Sequence, residues 1–216
     1  MDAPTITPRT TIRMASVNIA LSLPVSILPE IYRVVVMSII QDNVFLKIYM
    51  VKYGISVRGR FCLVEVLVVY YSRTGRTEAL ARAVAEGVGR VEGAKARLVR
   101  VDYATIEDLV SCDAVAFGSP NYFGYMAGLM KHFFDVAWSV RGKIAGKPAV
   151  AFTSGGGSSN SALLSIERIM EAFRMERVCD GVVSSGIPGE EDLEACRRLG
   201  EALARAAIER VKVSRG

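Results

Sequence analysis

Cysteine is scarce in this chain of 216 residues: Cys62, Cys112, Cys179 and Cys196 stand 50, 67 and 17 positions apart. No Cys-x-x-Cys or zinc-ribbon spacing exists, so neither a disulfide framework nor a cysteine-held metal organises the chain, and no metal site is expected. There is one histidine, His132, inside the helical pattern Met130-Lys131-His132-Phe133-Phe134. A lone His in that setting reads as a surface or packing residue rather than a catalyst. The Walker pattern, with its Gly-Lys-Ser/Thr ending, is missing, which removes a magnesium-bridged nucleoside triphosphate. Gly87, Gly89 and Gly93 fall at the end of a helical pattern, and the third glycine comes one position too late for a dinucleotide fingerprint. From Met14 to Pro29 there is no charge, but those 16 residues are interrupted by Pro24 and followed at once by Glu30 and Arg33. A spanning helix needs about 20 apolar residues, so stable membrane insertion is not expected.

What is present is the composition of a globular protein: 51% apolar and 23% charged. The net charge of +5 divides unevenly. Residues 1–63 carry seven Lys/Arg against three acids, whereas 64–216 carry 20 against 19. The larger part is almost neutral and shows no basic stripe with interleaved aromatics, so nucleic acid is not an expected partner. Residues 1–63 also hold Pro4, Pro8, Pro24 and Pro29 and no sustained hydrophobic period. They are expected to be an extension that is not a domain, with the working polypeptide beginning near Leu63 or Val64. Arg9 and Arg13 ahead of the uncharged stretch leave a signal peptide as the alternative, although no clean small-x-small cleavage pattern follows.

From Val64 onward, short β-branched runs alternate with helical patterns, the sign of parallel strands joined by crossover helices. Strands are expected over 64–70, 96–101, 113–118, 149–153 and 177–184, the first of them central. Helices are expected over 75–88, 128–140 and 161–173 and at the C-terminus. Their buried faces are Leu80, Val84 and Val88; Leu163, Ile166, Met170 and Phe173; and Leu193, Cys196, Leu199, Leu203 and Ala207. The handedness of such crossovers predicts an α/β fold: a doubly wound, five-stranded parallel sheet with helices on both faces and ligands at the carboxyl ends of its strands.

Three loops leave those ends. Ser72, Arg73, Thr74, Gly75, Arg76 and Thr77 follow the first strand; hydroxyls, a glycine turn and the amides of a starting helix suit a terminal phosphate. Ser119, Pro120, Asn121, Tyr122, Phe123 and Gly124 follow the third. Turn chemistry explains the proline and glycine, while two adjacent aromatics offer a stacking surface for a flat ring or, alternatively, core plugs. Ser154, Gly155, Gly156 and Gly157 follow the fourth, where consecutive glycines let bare amides approach a ring's polar edge. Phosphate donors, a stacking surface and an amide rim together match flavin mononucleotide, FMN.

The order and spacing of Tyr70-Tyr71-Ser72-Arg73-Thr74-Gly75, Phe117-Gly118-Ser119-Pro120-Asn121-Tyr122-Phe123-Gly124 and Ser154-Gly155-Gly156-Gly157 resemble the flavodoxin-like superfamily. Within it, 64–207 is most similar to NAD(P)H:quinone oxidoreductases of the tryptophan-repressor-binding-protein type, with wording shared by FMN reductases. Iron–sulfur flavoproteins share that wording too but need a compact cysteine motif, which is absent. The resemblance implies a flavodoxin-like FMN-binding domain over 64–216, with the phosphate at 72–77 and the isoalloxazine between 121–124 and 154–157. It also implies a homo-oligomer in the cytoplasm.

The activity then expected is electron transfer from NAD(P)H, a transient substrate, to a quinone or similar acceptor, so that the partners are a small-molecule donor and acceptor. The cofactor supplies the chemistry and no catalytic acid–base pair is required. Amides of 155–157 would stabilise negative charge on the reduced ring. A one-electron carrier is the competing reading; carriers are commonly acidic, and the balance of 20 against 19 favours the reductase. A flavodoxin-shaped interaction module without cofactor is the third.

Overall fold

A computed structural model describes residues 64–155 and 160–214. All of them fall in a compact unit spanning Phe61–Gly216. The expectations for 1–63, and those for Gly156 and Gly157, lie outside the described residues.

The elements run β1 (Val64–Tyr70), α1 (Arg76–Gly89), β2 (Ala94–Arg100), α2 (Ile106–Ser111), β3 (Ala114–Pro120), α3 (Gly128–Ala137), a 3-10 turn (Trp138–Val140) and α4 (Arg141–Ile144). After these come β4 (Pro148–Gly155), α5 (Ser161–Ala172), β5 (Glu176–Arg177), β6 (Val182–Ser185) and α6 (Glu190–Ser214). Among the described residues these strands all pair in parallel, in the order β2-β1-β3-β4, with β5 and then β6 along the far edge of β4. The doubly wound architecture is as expected, with two differences. The fifth strand position is filled in two pieces, β5 against Pro148 and Ala149 and β6 against Phe152–Gly155. Between them, a Cβ on Gly181 would stand 2.5 Å from the Leu163 side chain and 2.6 Å from the Ala151 carbonyl oxygen, so the chain leaves the ladder there. The middle of the sheet is β3 rather than β1, which lies between β2 and β3.

Alternation along the strands supplies both helical layers. Leu67, Val69, Val115, Phe117 and Ala151 face a cluster with Met130, Phe134, Ile166 and Met170. Val66, Val68, Ala116, Val150 and Phe152 face Leu80, Val84, Leu199 and Leu203. On that second face α1 and α6 touch backbone to backbone. A Cβ on Gly87 would sit 1.9 Å from the Arg197 carbonyl oxygen, and one on Gly200 would sit 2.1 Å from that of Val84. Arg197 closes the outer seam of this pair, reaching Glu86 at 3.0 Å, Glu190 at 2.5 Å and Glu194 at 3.1 Å.

The helix expected over 128–140 changes to a 3-10 turn at Trp138, whose ring carries the Arg141 guanidinium 4.6 Å from its centroid. The short α2 was not foreseen. Its N-terminus is a capping box in which the Asp108 N–H donates to Thr105 Oγ1 at 3.1 Å and the Thr105 N–H to Asp108 Oδ2 at 2.9 Å. Its C-terminus is closed by Lys147, buried at 3% exposure, whose ammonium donates to the carbonyls of Leu109 at 2.7 Å, Val110 at 3.1 Å and also Cys112. Burial pulls the Lys147 ammonium below its ordinary pKa and pushes the neighbouring Cys112 thiol up.

Candidate functional site

The crossover from β1 to β2 goes one way along the sheet and the path onward to β3 goes the other, so a crevice opens beyond the carboxyl ends of β1 and β3. The loops after β1, β3 and β4 meet at this edge because those three strands are neighbours in register, with Tyr70 beside Gly118 and Pro120 beside Ser154. The Asn121 N–H donates to the Ser154 carbonyl at 2.7 Å, extending the ladder past the last strand residues. A cleft of about 210 Å³ lies here, lined by Arg73, Thr74, Arg76, Thr77, Pro120, Asn121, Tyr122, Ser154 and Gly155.

Gly75 is the N-cap of α1 and takes φ +83°, a left-handed conformation that costs a residue with a Cβ. No side chain caps this helix. The first amides of α1 therefore point out of the helix unclaimed by any cap, with the positive end of its dipole behind them. Ser72 is spent on the loop itself: its Oγ accepts from the Gly75 N–H at 3.1 Å. From β2, the Arg100 guanidinium donates to the Ser72 carbonyl at 3.3 Å and pairs with Asp102 at 3.0 Å, bracing the loop from behind. Nothing in the sequence pattern pointed to that brace.

Thr77 and Ser154 are both buried, and their hydroxyls lie 2.8 Å apart. One proton joins the two oxygens, which leaves a second hydroxyl proton to donate into the cleft that both residues line. Ser154 thus faces the loop after β1. Arg73 and Arg76 are exposed, and neither has a carboxylate partner among the described residues.

The second loop is a tight hairpin. The Tyr122 N–H donates to the Tyr125 carbonyl at 2.8 Å and the Tyr125 N–H returns to the Tyr122 carbonyl at 3.0 Å. Asn121 Oδ1 accepts from the Gly124 N–H at 3.0 Å. Tyr122 meets the Tyr71 ring edge-on, with centroids 6.4 Å apart and planes at 78°. Neither Tyr122 nor Phe123 is a core plug, since both are exposed, Phe123 fully. Ser119, in contrast, is fully buried and pins the loop, its hydroxyl accepting from the Ala127 N–H at 2.8 Å and donating to the Pro120 carbonyl at 3.0 Å.

Of the residues singled out in the sequence, Ser72, Gly75, Ser119, Phe123 and Gly124 shape the loops without lining the cleft. His132 is exposed on α3, away from the lining residues. Among the described residues, no group of three or more His, Cys, Asp or Glu side chains converges as a metal site, and no helix is long and apolar enough to cross a membrane.

This geometry fits FMN. An open turn of amides with hydroxyls and two exposed guanidinium groups suits a phosphate dianion, and the Tyr122 ring in the same cleft suits a flat one.

Comparison with known proteins agrees. The family model "NADPH-dependent FMN reductase" matches residues 103–186, a span that takes in the second and third loops but not the first. The chain is 41% identical over 157 residues to a flavodoxin of Aquifex aeolicus (strain VF5), covering 65% of this chain and 85% of that one. It is 34% identical over 154 residues to an NAD(P)H dehydrogenase (quinone) of Geobacter sulfurreducens, covering 57% of this chain and 72% of the relative. The solved structure of a flavodoxin from the domain Archaea superposes with a TM-score of 0.60 at 25% identity, covering 67% of this chain and 99% of that one.

Proposed function

The chain belongs to the flavodoxin-like superfamily, and from that premise we propose that it is a cytoplasmic FMN-dependent oxidoreductase that passes electrons from NAD(P)H to a quinone or similar small acceptor. The working domain in this reading is 64–216. The single observation that carries it is the uncapped N-terminus of α1, turned open by left-handed Gly75 beside Thr74 and Thr77, at the crevice between β1 and β3. The family model named for an NADPH-dependent FMN reductase and the relative named NAD(P)H dehydrogenase (quinone) support the enzyme over a carrier.

Bound FMN would supply the two-electron chemistry, accepting electrons from the nicotinamide and yielding them to the acceptor. The chain's own residues bind and orient. Thr74, Thr77, Ser154 and the amides of the first turn of α1 hold the phosphate, while Arg73 and Arg76 neutralise its charge from the solvent side. Tyr122, steadied by Tyr71, offers its ring as one wall of the flavin site. Gly155 lines the cleft, and its backbone would lie beside the ring's polar edge. No side chain need move a proton at the flavin. The apolar side chains that α3 leaves exposed, Leu129 and Val136, support self-association, read by light scattering.

The test is the visible spectrum of the purified full chain after addition of FMN, followed by NADH or NADPH with and without benzoquinone. A yellow protein bleached by nicotinamide and turning over with benzoquinone is the expected result. The relative named flavodoxin favours a carrier as the second reading. A yellow protein that nicotinamide does not bleach would select it, and a protein that takes up no FMN would defeat both.

A further inference from the structure

A buried amine and a buried thiol that the proposed function does not use lie together in this fold. Lys147 and Cys112 are each 3% exposed. Lys147 Nζ stands 3.6 Å from Cys112 Sγ, and both groups donate to one carbonyl, that of Leu109, at 2.7 and 3.4 Å. Burial holds the ammonium below its ordinary pKa, which favours the neutral amine with its lone pair, and keeps the neighbouring sulfur as a thiol. The other described cysteines lack this arrangement: the charges that act on Cys179 and Cys196 come from Asp180, Arg177 and Asp192, not from a lysine. Cys112 stands just before β3 and Lys147 just before β4. Those strands pair side by side, with Val115 opposite Ala149, and their far ends carry the cleft at Pro120 and Ser154. The helix that Cys112 caps, α2, buries only Leu109, so local opening there admits a small oxidant more readily than the sheet does.

We propose that Lys147 and Cys112 form a covalent N–O–S bridge with dioxygen as oxidant, a reversible redox lock between the amino ends of β3 and β4. The thiol gives up its hydrogen and the neutral amine gives up one of its own; both leave as water with one oxygen atom of dioxygen. The other oxygen stays between Sγ and Nζ, so that one S–O bond and one O–N bond form. Sulfur and nitrogen are oxidised, dioxygen is fully reduced, and no further reactant is needed. One inserted oxygen spans the 3.6 Å gap with a smaller shift than a direct S–N bond would require. The bridge also keeps the thiol from the irreversible steps to sulfinic and sulfonic acid. Neither residue lines the cleft, so the inference stands apart from the FMN reading.

The experiment compares, by intact mass, the full chain prepared in air-saturated buffer with the same chain prepared without oxygen. The aerobic protein is expected to be heavier by about 14 Da, one oxygen gained and two hydrogens lost, and dithiothreitol should remove the difference. Peptide mapping should find the segment containing Cys112 joined to the segment containing Lys147. Closing a loop between the two positions should raise the melting temperature of the aerobic protein by several degrees until the dithiol is added. Cys112→Ala should abolish the mass gain and Cys179→Ala should keep it; if Cys112→Ala does not fold, the wild-type peptide map decides. Equal masses with and without oxygen overturn the proposal. A gain of about 16 Da, a sulfenic acid with no bridge, overturns it too, as does a loss of about 2 Da, a direct S–N bond. No step needs FMN, so a chain that takes up no FMN would defeat the function proposed above and leave this result standing.

Discussion

Thr77 Oγ1 lies 2.8 Å from Ser154 Oγ, joining the first turn of α1 to the end of β4 across 77 residues of sequence. The contact ties the loop after β1 to the loop after β4. Removing either hydroxyl leaves the other buried with one fewer partner. Thr77→Val and Ser154→Ala should each lower stability by about 1 kcal/mol, and a double-mutant cycle by denaturant unfolding should recover coupling of the same order. Thr77→Val should also weaken FMN binding by roughly tenfold, the loss of a hydrogen bond to a charged oxygen. Additive stability losses would show that the two hydroxyls act independently.

Gly75 has nothing within 4 Å of where a Cβ would stand, so alanine there meets no clash and the cost is conformational alone. Holding alanine at φ +83° costs about 1–2 kcal/mol. The expected result for Gly75→Ala is a folded protein with a modestly lower melting temperature and a disproportionately weaker FMN Kd, because the amide turn relaxes away from the phosphate.

Gly87→Ala and Gly200→Ala test a different cause. Alanine gains about 1 kcal/mol of helix propensity over glycine, yet here its Cβ would enter a facing backbone carbonyl at 1.9 or 2.1 Å. Separating α1 from α6 should cost about 3 kcal/mol or more, so both variants should melt well below Gly75→Ala by calorimetry. A neutral effect at either position would mean that the helix pair does not pack backbone to backbone.

Burial lowers the pKa of Lys147 beneath its ordinary value of 10.5. Between the folded value and 10.5, the unfolded chain binds more protons than the native one, so the residue's contribution to stability is least favourable below that window and improves as pH rises through it. Lys147→Met should destabilise α2 by leaving the carbonyls of Leu109 and Cys112 without a donor. The wild-type advantage over Lys147→Met in melting temperature should be larger at about pH 10 than at about pH 7, in line with the sign of the shift. A difference that shrinks with pH would refute the lowered pKa.

Arg73 and Arg76 stand exposed on the cleft with no carboxylate partner among the described residues, so their attraction for a phosphate is screened by salt. The double variant Arg73→Ala/Arg76→Ala should bind FMN several-fold more weakly at low ionic strength and show a flatter dependence of Kd on salt. An unchanged salt slope would move both side chains out of the site.

How much of this was legible in the sequence varies with the range of the interactions involved. The β-branched run from Val64 to Tyr70 and the four-residue spacing of Leu80, Val84 and Val88 are local patterns, and burial of those faces is how strands and crossover helices form, so the doubly wound class followed from them. The three loops were recognisable because clustered hydroxyls, glycines and adjacent aromatics at strand ends exceed what turn chemistry alone requires. Which strand sits in the middle depended on the order in which distant strands pair, and where the last one breaks at Gly181 depended on what lies beside it, namely Leu163 and Ala151. The same holds around the cleft: Ser154 turns toward Thr77, Arg100 braces Ser72, and Ser119 is consumed in pinning Ala127. The first two join residues far apart in the chain, and a hydroxyl's partner is set by which backbone and side-chain atoms folding brings within 3 Å or so of it. Composition and period decide what kind of layers this polypeptide builds; the close approach of separate strands decides which of its polar groups remain to meet a ligand.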